Sequence, residues 1–106
     1  MKPLNFSPRS ERALEKIALW SAENFGVARA RRYSADLLAA CNRITRNEAR
    51  WRYCRDVFAP RLHAELRFTR SGRHFIIFLD TPDEIQIIDF IHQSADIGGR
   101  LESSEE

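Results

Sequence analysis

The residues best suited to chemistry are two histidines and two arginines near the ends of apolar segments. His74 and His92 could in principle act as a general acid and base, and Arg67 and Arg73 could hold a phosphate group. Cutting RNA by attack of the 2′-hydroxyl needs such a set: a base, an acid for the leaving group and cations for the phosphate charge. The chemistry therefore depends on whether the fold brings the two histidines together.

The expected strand pairing keeps the two histidines apart. If Asp80–Asp83 form the turn, His74 lies opposite Asp89, and His92 points to the other face of the sheet because it is an odd number of residues from Asp89. A β-bulge would change this register. We favour the interpretation in which each histidine caps a strand end with a hydrogen bond over the one in which the pair is catalytic.

The sequence offers little support for a metal or another cofactor, and we expect neither. His92 and Asp96 are weak candidates for metal ligands because no third ligand accompanies them. The two cysteines, Cys41 and Cys54, lie 13 positions apart with no CxxC motif. This spacing favours a pair of reduced thiols in a cytosolic protein over a disulfide or a metal site.

Charge is distributed unevenly along the chain. Of the 17 basic residues 15 are arginine, and residues 29–73 contain twelve arginines against four acids, a net charge of +8. Residues 80–106 contain eight acids and one arginine. A basic middle suggests an acidic partner, either nucleic acid or an acidic peptide. The alternative is a solvated face with no partner.

Apolar periodicity predicts a helical hairpin at the start of the chain. Ser7 and Pro8 are typical of a helix start, and the helix is expected to end at Gly26. A second helix is predicted from Ala28 to Ile44. The gap between them is so short that the helices must fold back on each other.

Three strands are predicted after a connector at residues 45–60, which we expect to contain a helical turn or a short strand. The strands cover residues 65–69, 74–79 and 85–91, and residues 3–6 are a candidate fourth strand. The predicted fold class is α+β, with the N-terminal helical hairpin packed on a small antiparallel β-sheet. Residues 1–101 form a single domain in this interpretation, and residues 102–106 form a polar, disordered tail.

The predicted strands are apolar on both faces, whereas an antiparallel sheet in a small domain usually has one wet face. One hairpin covers one face only. The second face could be covered by the connector or by a partner chain, and we favour a partner because an arginine-rich connector is a poor lid. The side chains expected on the second face are Ile76, Phe78, Ile88 and Phe90.

An ordered set of short motifs resembles the ParE branch of the ParE/RelE superfamily, the toxins of type II toxin–antitoxin systems. That branch tends to show an LR before a strand, a GRH turn followed by an IFY-like strand, and a strand that ends in LHQRMD. The matching positions are Leu66 and Arg67, Gly72 to His74, Ile76 to Phe78, and Ile91 to Gln93 with Asp96. An earlier pattern of the branch matches Phe25, Gly26, Ala30, Tyr33 and Leu37.

The resemblance implies a cytoplasmic bacterial toxin that is bound tightly by its antitoxin and, when free, inhibits DNA gyrase and so replication. Two alternatives stay open: a RelE-like mRNA endoribonuclease, and an inactive toxin relative retained as an antitoxin partner. RelE-type relatives tend to have a tyrosine near the C-terminus, whereas Tyr33 and Tyr53 both lie upstream. A non-enzymatic inhibitor is therefore the favoured function.

No apolar run approaches the ~20 residues of a membrane helix, and no direct sequence-specific binding of nucleic acid is expected.

Two sets of binding residues are predicted. The candidate antitoxin-binding residues are Arg29, Arg31, Arg32, Ile76, Phe78, Ile88 and Phe90. The candidate target-binding residues are Arg67, Arg73, His74, His92 and Asp96.

Overall fold

A computed structural model describes residues 2–104 and contains the predicted helical hairpin. Helix α1 spans Pro8–Phe25 and helix α2 spans Val27–Thr45. The hydroxyl of Ser7 caps α1 by accepting a hydrogen bond from the Ser10 N–H at 3.0 Å. Gly26 alone joins the helices, with a φ of 92° that favours glycine. The predicted hairpin is confirmed to within about one residue at each end.

The hairpin packs on a five-stranded sheet in the order β1-β5-β4-β3-β2, so the predicted α+β class is confirmed. β1 runs parallel to β5 and the other neighbours are antiparallel, which makes the sheet mixed. The candidate fourth strand is confirmed as β1. The strands are β1 Leu4–Phe6, β2 Arg52–Tyr53, β3 Arg67–Ser71, β4 His74–Asp80 and β5 Ile85–His92.

Two shorter helices complete the chain. α3 covers Cys54–Val57 next to β2, so the connector contains both a short strand and a helical turn. α4 covers Ile97–Ser104 and takes in three of the five residues predicted to be a disordered tail. Its Leu101 is fully buried, and the burial of this side chain holds α4 against the rest of the fold. The polar sequence around Leu101 did not predict a helix. Residues 105 and 106 lie outside the described residues.

No helix within residues 2–104 is long and apolar enough to cross a bilayer.

The core beneath the hairpin joins α2 to the inner strands. Its fully buried side chains include Leu37 and Cys41 from α2, and Ile76, Phe78 and Ile87 from the sheet. The hairpin thus covers the face that carries Ile76 and Phe78, although both were predicted to lie on the face that it leaves uncovered.

The opposite face of the sheet is also covered by the chain itself, which contradicts the prediction that a partner chain covers one of the two faces. The cover consists of α4 and of residues 54–66, which comprise the end of the connector and the segment between it and β3, and both pack on β3, β4 and β5. Phe58 stacks on Phe68 and Phe75 with ring centroids 4.6 and 5.5 Å apart. The prediction failed because the connector separates its residues: the arginines point outward. The apolar residues of the cover that are buried are Cys54, Leu62, Leu66, Ile97 and Leu101.

The β4–β5 register also differs from the prediction. Asp80 pairs with Ile85 across a turn at residues 81–84, and the ladder then shifts between Ile77 and Phe78. Phe78 pairs with Ile87 and Ile77 with Asp89, so residue 88 is an extra residue in β5, a β-bulge. His74 therefore lies directly opposite His92 instead of being separated from it by the sheet.

The bulge is followed by a fully buried carboxylate, Asp89. Its Oδ2 accepts hydrogen bonds from Arg9 Nε of α1 at 3.1 Å and from Arg100 Nε of α4 at 3.0 Å. Its Oδ1 accepts the Phe90 N–H at 2.8 Å. One buried charge thus connects the first helix, strand β5 and the last helix.

We expect the double substitution Arg9→Met with Arg100→Met to lower the free energy of unfolding by about 3–5 kcal/mol, because it leaves Asp89 charged and unpaired in the interior. Each single substitution should cost less, since the other arginine stays. Urea denaturation measures the difference. Arg12→Met on the exposed side of α1 is the control. A double variant no less stable than this control would show that the buried carboxylate does not depend on its two arginines.

Candidate functional site

A groove of about 870 Å³ lies between the helical hairpin and the ends of β4 and β5. α1 and the start of α2 form one wall. The β3–β4 turn, with the first residue of β4 and the last of β5, forms the other side. The volume is in the range typical of ligand-binding clefts. We call this surface the hairpin groove.

Exposed aromatic residues line the helical side of the hairpin groove. Trp20 is 58% exposed and Phe25 is 53% exposed, and their ring centroids are 5.5 Å apart. Leu19 and Val27, also exposed, belong to the same end of the hairpin. Large apolar side chains left in water this close together are typical of a protein-binding surface.

Tyr33 organises the floor of the hairpin groove. Its hydroxyl oxygen accepts a hydrogen bond from the Arg73 N–H at 3.0 Å and lies 2.6 Å from His74 Nδ1. The Ser71 carbonyl lies 3.4 Å from the same oxygen. The hydroxyl can donate its own proton to the Ser71 carbonyl or to the imidazole, according to the tautomer of His74. Helix α2 is thereby tied to the β3–β4 turn through one side chain.

Gly72 allows this contact. It has a φ of 60°, in the left-handed region that favours glycine. A Cβ at this position would lie 2.8 Å from the Tyr33 ring and from its hydroxyl oxygen. Both the turn and the close approach of Tyr33 therefore require a residue without a side chain.

The two histidines meet at the edge of the floor, with ring centroids 5.2 Å apart and the rings nearly perpendicular. The Ser94 N–H donates to His92 Nδ1 at 3.1 Å. Burial, and then the nearby His92, lowers the pKa of His74 to about 4. His74 is therefore neutral at pH 7 and a weak base, poorly matched to proton abstraction at that pH.

The rim of the hairpin groove is basic. Lys16, Arg29, Arg32 and Arg73 line it together with a single carboxylate, Asp36. The guanidinium of Arg29 lies 5.4 Å from the centre of the Phe25 ring, within cation–π distance. Aromatic area beside several cations suits a ligand that is both apolar and acidic.

Five predicted site residues come together in the hairpin groove. Arg29 and Arg32 come from the predicted antitoxin-binding set, and Arg73, His74 and His92 come from the predicted target-binding set. The other predicted arginine of α2, Arg31, is exposed but does not line the groove. The two sets thus overlap on one surface.

The apolar members of the antitoxin-binding set are not available for binding. Ile76, Phe78 and Phe90 are 0%, 1% and 3% exposed beneath the hairpin, and Ile88 packs half-buried on the opposite face of the sheet. They were predicted on the assumption that one face lacked a cover. Because the chain covers both faces, burial removes Ile76, Phe78 and Phe90 from any docking surface, and Ile88 lies on the face away from the hairpin groove.

The remaining two predicted target residues have structural contacts away from the hairpin groove. The Arg67 guanidinium lies 3.9 Å from the Trp51 ring centre and 3.4 Å from Asp80 Oδ2. Its Nε is buried without a hydrogen-bond partner among the described residues. Asp96 caps α4 by accepting the Gly99 N–H at 3.2 Å. Neither position supports direct contact with a target at the groove.

Eight of the residues that line the groove were not predicted as site residues, among them Lys16, Trp20, Phe25 and Tyr33. Phe25 and Tyr33 follow the apolar period of their helices, a pattern that is also typical of core residues. Trp20 falls outside that period, and a tryptophan off the buried stripe of an amphipathic helix is the one signal that pointed to a binding surface.

Comparison with known proteins identifies the family. A model of the ParE toxin of the parDE type II toxin–antitoxin system matches residues 4–97. The chain belongs to the ParE toxin family. No curated protein matches the chain.

Solved structures share the fold of this ParE-family chain. A chain from the chromosomal ParDE toxin–antitoxin system of P. aeruginosa has a TM-score of 0.68 at 17% identity, over 87% of this chain and 96% of that one. A chain of the YoeB dimer from Staphylococcus aureus has a TM-score of 0.59 at 11% identity, over 86% of this chain and 95% of that one. At such identities the likeness concerns the fold alone.

We expect the ParE-family chain to lose stability as the pH falls from about 6.5 towards 4, in part because of His74. The folded pKa is about 4 and the ordinary value is 6.5, so in this window the unfolded chain binds a proton that the folded chain does not. His74→Gln should flatten that part of the curve of unfolding free energy against pH. Equal curves for the wild type and the variant would contradict the assignment.

Proposed function

We propose that this ParE-family toxin is held inactive by a cognate antitoxin that fills the hairpin groove, and that the free toxin inhibits DNA gyrase without being an enzyme. The observation that carries the proposal is the overlap of predicted antitoxin-binding and target-binding residues in one groove. The setting we propose is the bacterial cytoplasm, as for other proteins of toxin–antitoxin pairs.

The antitoxin segment that fits the hairpin groove is an amphipathic, acidic helix. Trp20 and Phe25 offer exposed aromatic area, and tryptophan and arginine are the residues that most often dominate binding energy at interfaces. Lys16, Arg29 and Arg32 on the helical wall of the groove present hydrogen-bond donors only. Carboxylates of a partner helix satisfy such donors while its apolar face covers the aromatic rings.

Neutralisation then works by occlusion. Arg73, His74 and His92 lie against the same cavity as the arginines of α2. An antitoxin helix in the hairpin groove covers both sets at once, so antitoxin and gyrase cannot bind together. Neutralisation then needs no change in the shape of the toxin. It results from competition between antitoxin and gyrase for one surface.

The ribonuclease alternative gains one observation, since the fold brings His74 and His92 together with ring centroids 5.2 Å apart. The low pKa of His74, about 4, argues against it as a general base. The Tyr33 hydroxyl 2.6 Å from its Nδ1 favours the neutral ring. We therefore propose the inhibitor as the function of the free toxin.

We expect Arg32→Glu to weaken antitoxin binding by about ten- to a hundredfold, because it places a negative charge against an acidic segment. Arg31→Glu is the matched control: it makes the same change of charge one residue away, outside the hairpin groove. Isothermal titration with the antitoxin measures both; a small neighbouring gene with an acidic, amphipathic C-terminus would encode this partner. Equal losses for the two variants would mean that only net charge matters.

We expect the purified toxin to inhibit gyrase supercoiling, and Trp20→Ala to weaken that inhibition by removing an exposed ring of the groove. Leu38→Ala is the control, since Leu38 is 41% exposed but does not line the groove. A parallel incubation with RNA is read on a gel. Degraded RNA with intact gyrase activity would establish the ribonuclease instead, and harmless expression with neither effect would establish an inactive relative.

A further inference from the structure

The arginine-rich connector has no role in the proposed function, and the structure gathers part of it at one edge of the sheet. Arg52 lies on the edge strand β2, opposite Phe68 of β3. Continuing this pairing residue by residue places Arg50 opposite Arg70, and the Thr69 hydroxyl donates to the Arg50 carbonyl at 2.6 Å. Arg43 of α2 lies beside the β3–β4 turn, where it lines a small cavity with Ser71.

We call Arg43, Arg50, Arg52 and Arg70 the arginine edge, and we propose that it binds the phosphate backbone of double-stranded DNA without regard to sequence. This binding is additional to the groove and independent of gyrase. All four residues are exposed. Within residues 2–104 none of them forms an ion pair, although other arginines of the chain do.

The neighbouring carboxylates do not neutralise the arginine edge. Glu48 is held by Arg46 at 3.3 Å. Asp36 lines the same small cavity as Arg43, but the two do not form an ion pair among the described residues. The Arg70 Nε donates to the Gly72 carbonyl at 3.0 Å, which holds the stem of this side chain and leaves its charge uncompensated.

The chemistry of the edge favours a polyanion over an acidic peptide. Exposed pairs between arginine and carboxylate are worth only about 0–1 kcal/mol each, so a peptide needs apolar area to bind well. Most of the large exposed apolar residues belong to the helical hairpin. Trp51 and Val57 are the exposed apolar residues that flank β2 and α3 in the described part of the chain, and the Arg67 guanidinium already lies over the face of Trp51. A DNA duplex binds arginines by releasing condensed counterions and needs no apolar contact.

The duplex is favoured over a single strand because the edge lacks a free aromatic platform. Single-strand binding relies on bases stacked on aromatic rings. The nearest exposed ring is Trp51, which is 36% exposed and carries the Arg67 guanidinium over its face at 3.9 Å. Arginine side chains without accessible aromatic rings suit contacts to phosphate groups. Such contacts set the orientation of a protein on the duplex and carry no sequence information.

The test is fluorescence anisotropy of a labelled duplex with the full chain at several salt concentrations between about 50 and 200 mM. We expect binding that weakens steeply with salt and is equal for two unrelated sequences. The triple variant Arg50→Gln, Arg52→Gln, Arg70→Gln should reduce the magnitude of the negative slope of log K against log salt by about three, one for each lost phosphate contact. Thermal melts of each variant confirm that it is folded.

The control variant carries Arg12→Gln with Arg31→Gln, two exposed arginines that form no ion pair within the described residues and lie outside the edge. It should keep a slope close to that of the wild type. Three results would overturn the proposal: no binding at low salt, a slope reduced equally in both variants, or displacement of the duplex by polyglutamate at equal charge concentration. Loss of gyrase inhibition has no bearing on it, so the two proposals fail separately.

Discussion

One extra residue in β5 decides how the rest of the molecule is assembled. Residues Phe78 and Ile77 of β4 face Ile87 and Asp89, so Ile88 has no partner across the strands. A bulge leaves backbone groups without ladder partners, and here the helix start supplies one. The Ser7 hydroxyl donates to the Ile88 carbonyl at 2.7 Å and the Ser7 N–H donates to the Ile87 carbonyl at 2.9 Å. The residue that caps α1 therefore also fixes the hairpin to the bulge.

Both ends of the molecule depend on this register. Next to the bulge, Asp89 binds Arg9 and Arg100 and so holds the first and last helices on the sheet. Further along, the shift places His92 opposite His74 at the floor of the hairpin groove. The groove thus combines residues far apart in sequence: aromatic rings from the end of a helix, and imidazoles from two strand ends that only the shifted ladder aligns. The binding surface is a consequence of how the sheet is paired.

The sequence predicts elements well where one face of each is apolar and poorly where pairing decides the outcome. Leu37, Cys41 and Ile44 recur at helical spacing, and their burial confirms α2. The bulge at Ile88 leaves no mark in composition, since its neighbours are also apolar, so the histidine pair could not be foreseen. The cover of the second face was missed for another reason. Its buried residues Cys54, Leu62 and Leu66 alternate in the sequence with exposed arginines. Only the three-dimensional path of residues 54–66 places the apolar side chains inside and the arginines outside.

The register itself is the claim on which the site depends, and one measurement tests it directly. The Gln93 N–H donates to the Arg73 carbonyl at 2.9 Å, so the next pair, His74 and His92, is a non-hydrogen-bonded pair with Cα atoms about 4.5 Å apart. A NOESY spectrum of the isolated chain should show a strong cross-peak between their Hα protons. A cross-peak from His74 to Ile91 in its place would indicate a ladder without the bulge, separate the imidazoles and contradict the account of the hairpin groove.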